Sequence, residues 1–121
     1  MRNLHMLSIS NADELHAALK QISADTGTTE NLEKGLFHIL KLERAATALA
    51  RFLFQELLME GGHVVMKPRV MHGEETETDV LIMGTRYQLR RLIVRLRTQR
   101  EDELQQLAEE MEKMLQGTNA E

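Results

Sequence analysis

The sequence predicts a single α/β domain, a sandwich of a mixed sheet of about four strands with about four helices. Its 121 residues are a one-domain length. Nineteen Leu and eight Met, against five Val and five Ile, favour helix over sheet. Strand-like runs and helical periodicities follow in the order β-α-β-α-β-β-α-α, which is typical of α/β folds. We assign residues 1–116 to the domain and residues 117–121 to a frayed C-terminal tail.

The N-terminal part of the chain predicts one strand and one helix. Residues 4–9 form a short apolar run that is consistent with a strand. Asn11, with Glu14 three residues later, is a capping-box pattern that satisfies the free amides at a helix start. Apolar residues then recur at helical spacing, so we expect an amphipathic helix over residues 12–22.

The middle of the chain contains the most strongly predicted helix. Residues 23–34 are rich in polar and turn-forming residues and predict a loop with one helical turn near its end. The apolar run 35–42 predicts a strand. A helix over residues 45–60 follows, and the glycine pair Gly61-Gly62 ends it, because glycine readily adopts positive φ. Five residues line its apolar face: Ala46, Leu49, Ala50, Leu53 and Leu57.

Two further strands are predicted to form a hairpin. Residues 63–71 are rich in β-branched side chains, but Pro68 donates no hydrogen bond to a ladder, which indicates an edge strand or a broken one. An acidic connection over residues 71–78 leads to the apolar run 79–83. We expect this last strand to be central, and the sheet to be mixed because helical crossovers permit parallel neighbours.

The C-terminal third predicts two helices. Thr85 with Gln88 forms a second capping box, which starts a helix over residues 86–97. A last helix covers residues 101–115. Their predicted buried seams are Leu89, Leu92, Ile93 and Leu96 in the first and Leu104, Leu107, Met111 and Met114 in the second.

Composition and motifs exclude several function classes. The net charge of −4 is no nucleic-acid signature, and the absence of Cys excludes disulfides and Cys-ligated zinc. No apolar run reaches the ~18 residues of a membrane span, and no signal peptide is recognisable, so we expect a cytoplasmic protein without a membrane partner. There is no nucleophile elbow, phosphate loop or helical His pair. We therefore assign no catalytic residue, cofactor or metal ligand, although a zinc site with acidic ligands is an open alternative. The five histidines are His5, His16, His38, His63 and His72.

The turn Gly84-Thr85 with Arg86 and Arg90 is the candidate anion-binding site. A glycine at the end of a strand lets a ligand approach the backbone, and helix amides next to arginines can hold a phosphate. The alternative is structural, because the capping box of Thr85 already uses these amides. We favour the structural interpretation.

Six arginines and six acids stand in adjoining segments. Residues 86–100 carry a charge of +6, and residues 101–112 carry −6. The arginines could bind RNA, but Tyr87 is the only aromatic residue among them and single-strand binders supply several. We therefore favour charge pairing between the two segments, within one chain or between subunits, and disfavour nucleic acid as a partner.

Two segments resemble a known family. The first segment is Gln55-Glu56 followed by an apolar turn and Gly61-Gly62. The second is the strand that ends in Met83-Gly84-Thr85, with Gln88 three residues later. In order and spacing they resemble the N-terminal accessory region of some bacterial dihydropteroate synthases, over residues 1–115. The catalytic barrel of that family needs ~200 residues or more, so the resemblance carries over no catalytic residue. Where the family has Gln-Pro-Phe-Gly, Arg100-Glu101-Asp102-Glu103 stands here.

The resemblance implies a non-enzymatic accessory or interaction domain in folate biosynthesis. Such a domain acts by self-association or by binding a separately encoded dihydropteroate synthase. Phe52, Phe54 and Leu58 lie off the main helix seam, so we expect a homodimer that buries more than ~1,000 Å². The alternatives are a small anion- or nucleotide-binding module and an RNA-binding protein.

Overall fold

A computed structural model describes residues 3–22, 28–71 and 76–119. Six helices and three strands lie in these ranges. The helices are α1 (Ala12–Ile22), α2 (Thr28–Gly35), α3 (Thr47–Met59), α4 (Pro68–Met71), α5 (Arg86–Arg97) and α6 (Asp102–Asn119). The strands are β1 (Phe37–Ala46), β2 (His63–Val65) and β3 (Glu77–Thr85). The α/β class is thus confirmed, whereas the prediction of about four helices is too low, because α2 and α4 form within segments that predicted a loop and a strand.

The described sheet has three strands in the order β1-β3-β2, and both pairs are antiparallel. The central position of β3 and its hairpin-like pairing with β2 are confirmed. The predicted mixed sheet of about four strands is wrong, because both pairs are antiparallel and residues 4–9, which are exposed except for the partly buried Ile9, pair with no strand of the described chain. A short apolar run becomes a strand only where an edge and a covering layer are available to it.

Helices cover one side of this sheet. Alternate residues of β3 are buried, namely Thr78, Val80, Ile82 and Gly84, and they face α3 and α5. The residues between them point away from the helices. α6 packs against α5 and completes the core. The core is built from four buried residues of α3, four of α5 and a set from α6: Leu104, Leu107, Ala108, Met111 and Leu115.

The predicted helix ends are confirmed in their local chemistry. α3 closes with the amides of Gly61 and Gly62 donating to Leu58 and Leu57, and Gly61 has a φ of +90°. This is a Schellman motif, in which the positive φ requires a glycine. At α1 the amide of Glu14 donates to Asn11 as predicted. The Glu14 carboxylate, however, accepts from the amide and hydroxyl of Ser10, one residue before the expected partner.

Several other predicted boundaries are wrong. The helical turn expected near the end of the loop 23–34 is the eight-residue helix α2, while residues 23–27 lie outside the described chain. Pro68 starts the short helix α4, so the strand before it has only three residues. Pro fits the first turn of a helix and is excluded from a ladder. The acidic connection falls largely on residues 72–75, which also lie outside the described chain.

The seam of α6 differs from the prediction by one position. Met114 is 55% exposed, and Leu115 is buried in its place. The helix also continues past residue 115 to Asn119. Phe52 and Phe54 pack against the core, so of the three residues expected to drive dimerisation only Leu58 is exposed. No helix among the described residues combines the length and apolar character needed to cross a membrane.

Candidate functional site

The turn from β3 into α5 uses its own amides. The amide of Gln88 donates to the Thr85 hydroxyl at 3.1 Å, and the Gln88 side chain accepts from the Thr85 amide at 2.8 Å. The predicted capping box is therefore confirmed. The amide of Arg86 donates to the carbonyl of Leu36 at 2.8 Å. These three amides at the helix start already have acceptors within the chain.

Gly84 has no positive φ; its role is to leave room. A Cβ there would lie 3.0 Å from Oε1 of Gln88, the atom that accepts from Thr85. A Cβ on Gly61 would lie 3.0 Å from Nε2 of the same side chain. The fold thus brings Gly61, Gly84, Thr85 and Gln88 together around one amide side chain, although they belong to two separate sequence patterns.

Arg86 is a buried arginine. It is 1% exposed, and its Nε lies 3.2 Å from Nε2 of His38 and 3.6 Å from a carboxylate oxygen of Glu33. Because Nε is a donor, Nε2 of His38 must be the unprotonated acceptor here. Burial, and then the charge of Arg86, lower the pKa of His38, while Glu33 opposes this shift. Burial also lowers the pKa of Arg86.

Arg90 lies between two carboxylates. Its Nε contacts Glu33, and its Nη1 lies 2.8 Å from Oε2 of Glu112 in α6. Glu33 therefore contacts both arginines of the candidate anion site. The predicted pairing of α5 with the acidic last helix is present in this Arg90–Glu112 contact.

The next arginines along α5 pair with α3 instead. Arg95 lies 2.6 Å from Glu60 and 3.2 Å from Glu56, and Arg91 lies 3.5 Å from Glu60. The hydrogen bond from Arg95 lowers the pKa of Glu60. This network joins the end of α3 to α5, and its partners stand some 30 to 40 residues earlier in the chain. Charge counting in adjoining segments therefore predicted the wrong acids for these two arginines.

A cleft of about 510 Å³ lies between α1, α2 and α5. Arg86 and Arg90 line it, and so do Asp13 and Glu33. Two carboxylates thus balance the two guanidinium groups, which favours a structural role over capture of a phosphate. Among the described residues no group of three His, Asp or Glu side chains is placed to hold a metal ion.

The uncovered side of the sheet is the feature that sequence reasoning missed. We call it the open face, and it comprises Phe37, Ile39, Lys41, His63, Val65, Asp79, Leu81 and Met83. Phe37 and Ile39 are 58% and 59% exposed, and Val65 and Leu81 are also exposed. The strand register places Ile39 next to Met83, and Leu81 between Lys41 and Val65. The apolar members of the open face therefore adjoin one another across the strands, with Lys41, His63 and Asp79 among them.

A signal for this surface is present in the sequence. The runs 35–42 and 79–83 are apolar at both odd and even positions, a pattern typical of strands covered on both sides. The described helices cover only one side. The sequence pattern and the architecture together leave an apolar face that no described element covers.

Comparison with known proteins finds no match of significance: no family model matches the chain, nor does any curated protein or solved structure.

Proposed function

We propose that this chain is a non-catalytic interaction domain that binds another protein through the open face of its sheet. The carrying observation is the apolar surface around Phe37, Ile39, Val65 and Leu81, which lies in cross-strand register and is exposed. Large exposed apolar patches are uncommon on monomeric proteins and mark interaction sites.

The contacts that Arg86 and Arg90 make within the fold support this proposal. Arg86 is buried against His38 and Glu33, and Arg90 contacts Glu33 and Glu112. Side chains engaged in this way hold α2, α5 and α6 together. A phosphate or an RNA strand would have to displace those carboxylates, so both ligand alternatives are disfavoured.

Two partners follow from the motifs and the surface. One is a separately encoded dihydropteroate synthase, which the sequence resemblance suggests, and the other is a second copy of the chain. In both cases the apolar face would be buried, and removal of apolar surface from water would drive association.

The experiment measures binding to both partners. Wild-type protein is titrated by calorimetry into a bacterial dihydropteroate synthase barrel without its N-terminal region, and its own association is followed by sedimentation. Ile39→Lys places a charge at the centre of the open face. Val94→Lys is the matched control, because Val94 is 51% exposed on α5, on the other layer.

We expect wild type and Val94→Lys to associate with at least one of the two partners, and Ile39→Lys to bind at least tenfold more weakly. Wild-type protein that neither binds the synthase barrel at 100 μM nor associates with itself at 2 mM would contradict the proposal. So would an Ile39→Lys variant that binds as tightly as the control.

A further inference from the structure

The open face carries an exposed aromatic ring and, further along the sheet, a hollow that is partly lined by apolar side chains. Phe37 stands at one end of β1 and is 58% exposed. A hollow of about 480 Å³ lies further along the sheet, level with the middle of β1, where Lys41, Val65, Asp79 and Leu81 line it from the open face. Met66, Lys67 and Val80 complete its lining.

The spacing of these two features allows self-pairing. Phe37 and Lys41 are four residues apart on one strand, which corresponds to ~13 Å at ~3.3 Å per residue. A twofold axis that lies in the plane of the interface and crosses the strands reverses the strand direction. That rotation places the Phe37 end of one copy over the hollow of the other, and it does so twice. Such an interface is isologous, as in most homodimers.

The chemistry of the face is compatible with a second copy. Val65 and Leu81 offer an aromatic ring apolar contacts within the hollow. Charges of both signs line the hollow, namely Lys41, Lys67 and Asp79, and in the rotated arrangement each hollow faces the Phe37 end of the other copy rather than the other hollow. Resting on the proposed function, we therefore propose that two copies of this chain associate face to face through their open faces, with Phe37 of each seated in the hollow of the other.

The size of the face sets the strength of this association. The nine-residue β3 and its two neighbours span at most ~30 Å by ~14 Å, given strands ~4.8 Å apart. The footprint is ~400 Å² per subunit, or ~800 Å² in total, which is smaller than the ~1,200–2,000 Å² of a stable interface. We therefore expect a dimer that forms and dissociates with concentration, with a dissociation constant of ~10 μM to 1 mM.

Sedimentation equilibrium from 10 μM to 2 mM tests whether the dimer forms and where. Wild-type protein should change from monomer to dimer over this range. Phe37→Lys should stay monomeric, because it removes the ring and places a positive charge in a hollow that Lys41 and Lys67 line. Leu58→Lys should behave as wild type, because Leu58 is 54% exposed but lies on α3. Circular dichroism establishes that each variant keeps the wild-type fold.

Crosslinking tests the geometry and needs no variant with a charge on the face. The chain has no native Cys, so Phe37→Cys protein can be mixed with Lys67→Cys protein and treated with a short bismaleimide. The mixed dimer keeps one intact Phe37 in one intact hollow. We expect a heterodimeric crosslink, and none from the control mixture of Leu58→Cys with Lys67→Cys.

The outcomes separate this inference from the proposed function. A wild-type monomer at 2 mM, or a dimer that crosslinks no better than the control pair, overturns the face-to-face dimer. The interaction-domain proposal then still stands if wild-type protein binds the synthase barrel and Ile39→Lys does not. If wild-type protein also fails to bind the barrel, both proposals are overturned.

Discussion

Replacing Arg86 with Gln distinguishes a structural arginine from a ligand-binding one. The side chain is 2% exposed, and its partner Glu33 is 15% exposed. Removing one member of a buried ion pair costs about 3–5 kcal/mol, because the remaining charge stays desolvated. Glu33 keeps its contact with Arg90, so we expect the lower end, about 3 kcal/mol. Pairing between exposed charges would predict less than about 1 kcal/mol.

The measurement is urea denaturation followed by circular dichroism. With a slope of about 1–3 kcal/mol per molar urea, a loss of 3 kcal/mol lowers the midpoint by about 1–3 M. Arg91→Gln is the matched control on the same helix, because Arg91 is 49% exposed and lies 3.5 Å from Glu60. We expect it to lose no more than about 0.5 kcal/mol.

Two results would refute this reasoning. If the unfolding free energy of Arg86→Gln lies within ~1 kcal/mol of the wild-type value, the buried pair contributes little to stability. The second result concerns inorganic phosphate, which stabilises folded proteins generally and should raise both midpoints equally. A clearly larger increase in wild type than in Arg86→Gln would mean that Arg86 helps to bind the anion.

Three further predictions concern stability. Gly62→Ala should lower the unfolding free energy by about 1–3 kcal/mol in urea denaturation, because its Cβ would lie 2.6 Å from Leu57 Cγ. Gly117→Ala has open space around it and should raise the unfolding free energy by up to ~1 kcal/mol. Thr85→Ala should lose ~1 kcal/mol with the cap, and an unchanged midpoint would contradict the capping role. Since the fold lowers the pKa of His38, unfolding free energy should fall as the pH drops below about 6.5, and His38→Gln, which keeps an acceptor, should make that decline shallower.

The sequence by itself determined the local features of this protein. Helix α5 has the predicted bounds, and the capping box of Thr85 and Gln88 is present as predicted. Gly61 ends α3 with positive φ. These features depend on residues within about four positions of each other, so the interactions that decide them are visible in the local pattern. The central place of β3 was also predictable, because an apolar strand needs neighbours on both edges.

The tertiary structure alone decided the strand count, the surroundings of Arg86 and the open face. Residues 4–9 are as apolar as a strand but meet no edge of the described sheet. Arg86 contacts His38 and Glu33, about fifty residues earlier, and no local pattern links them. The sequence of an apolar strand likewise does not determine which of its two sides a helix will cover. That choice depends on how distant segments pack, and here it leaves Phe37 and Ile39 exposed on the side that no described helix covers.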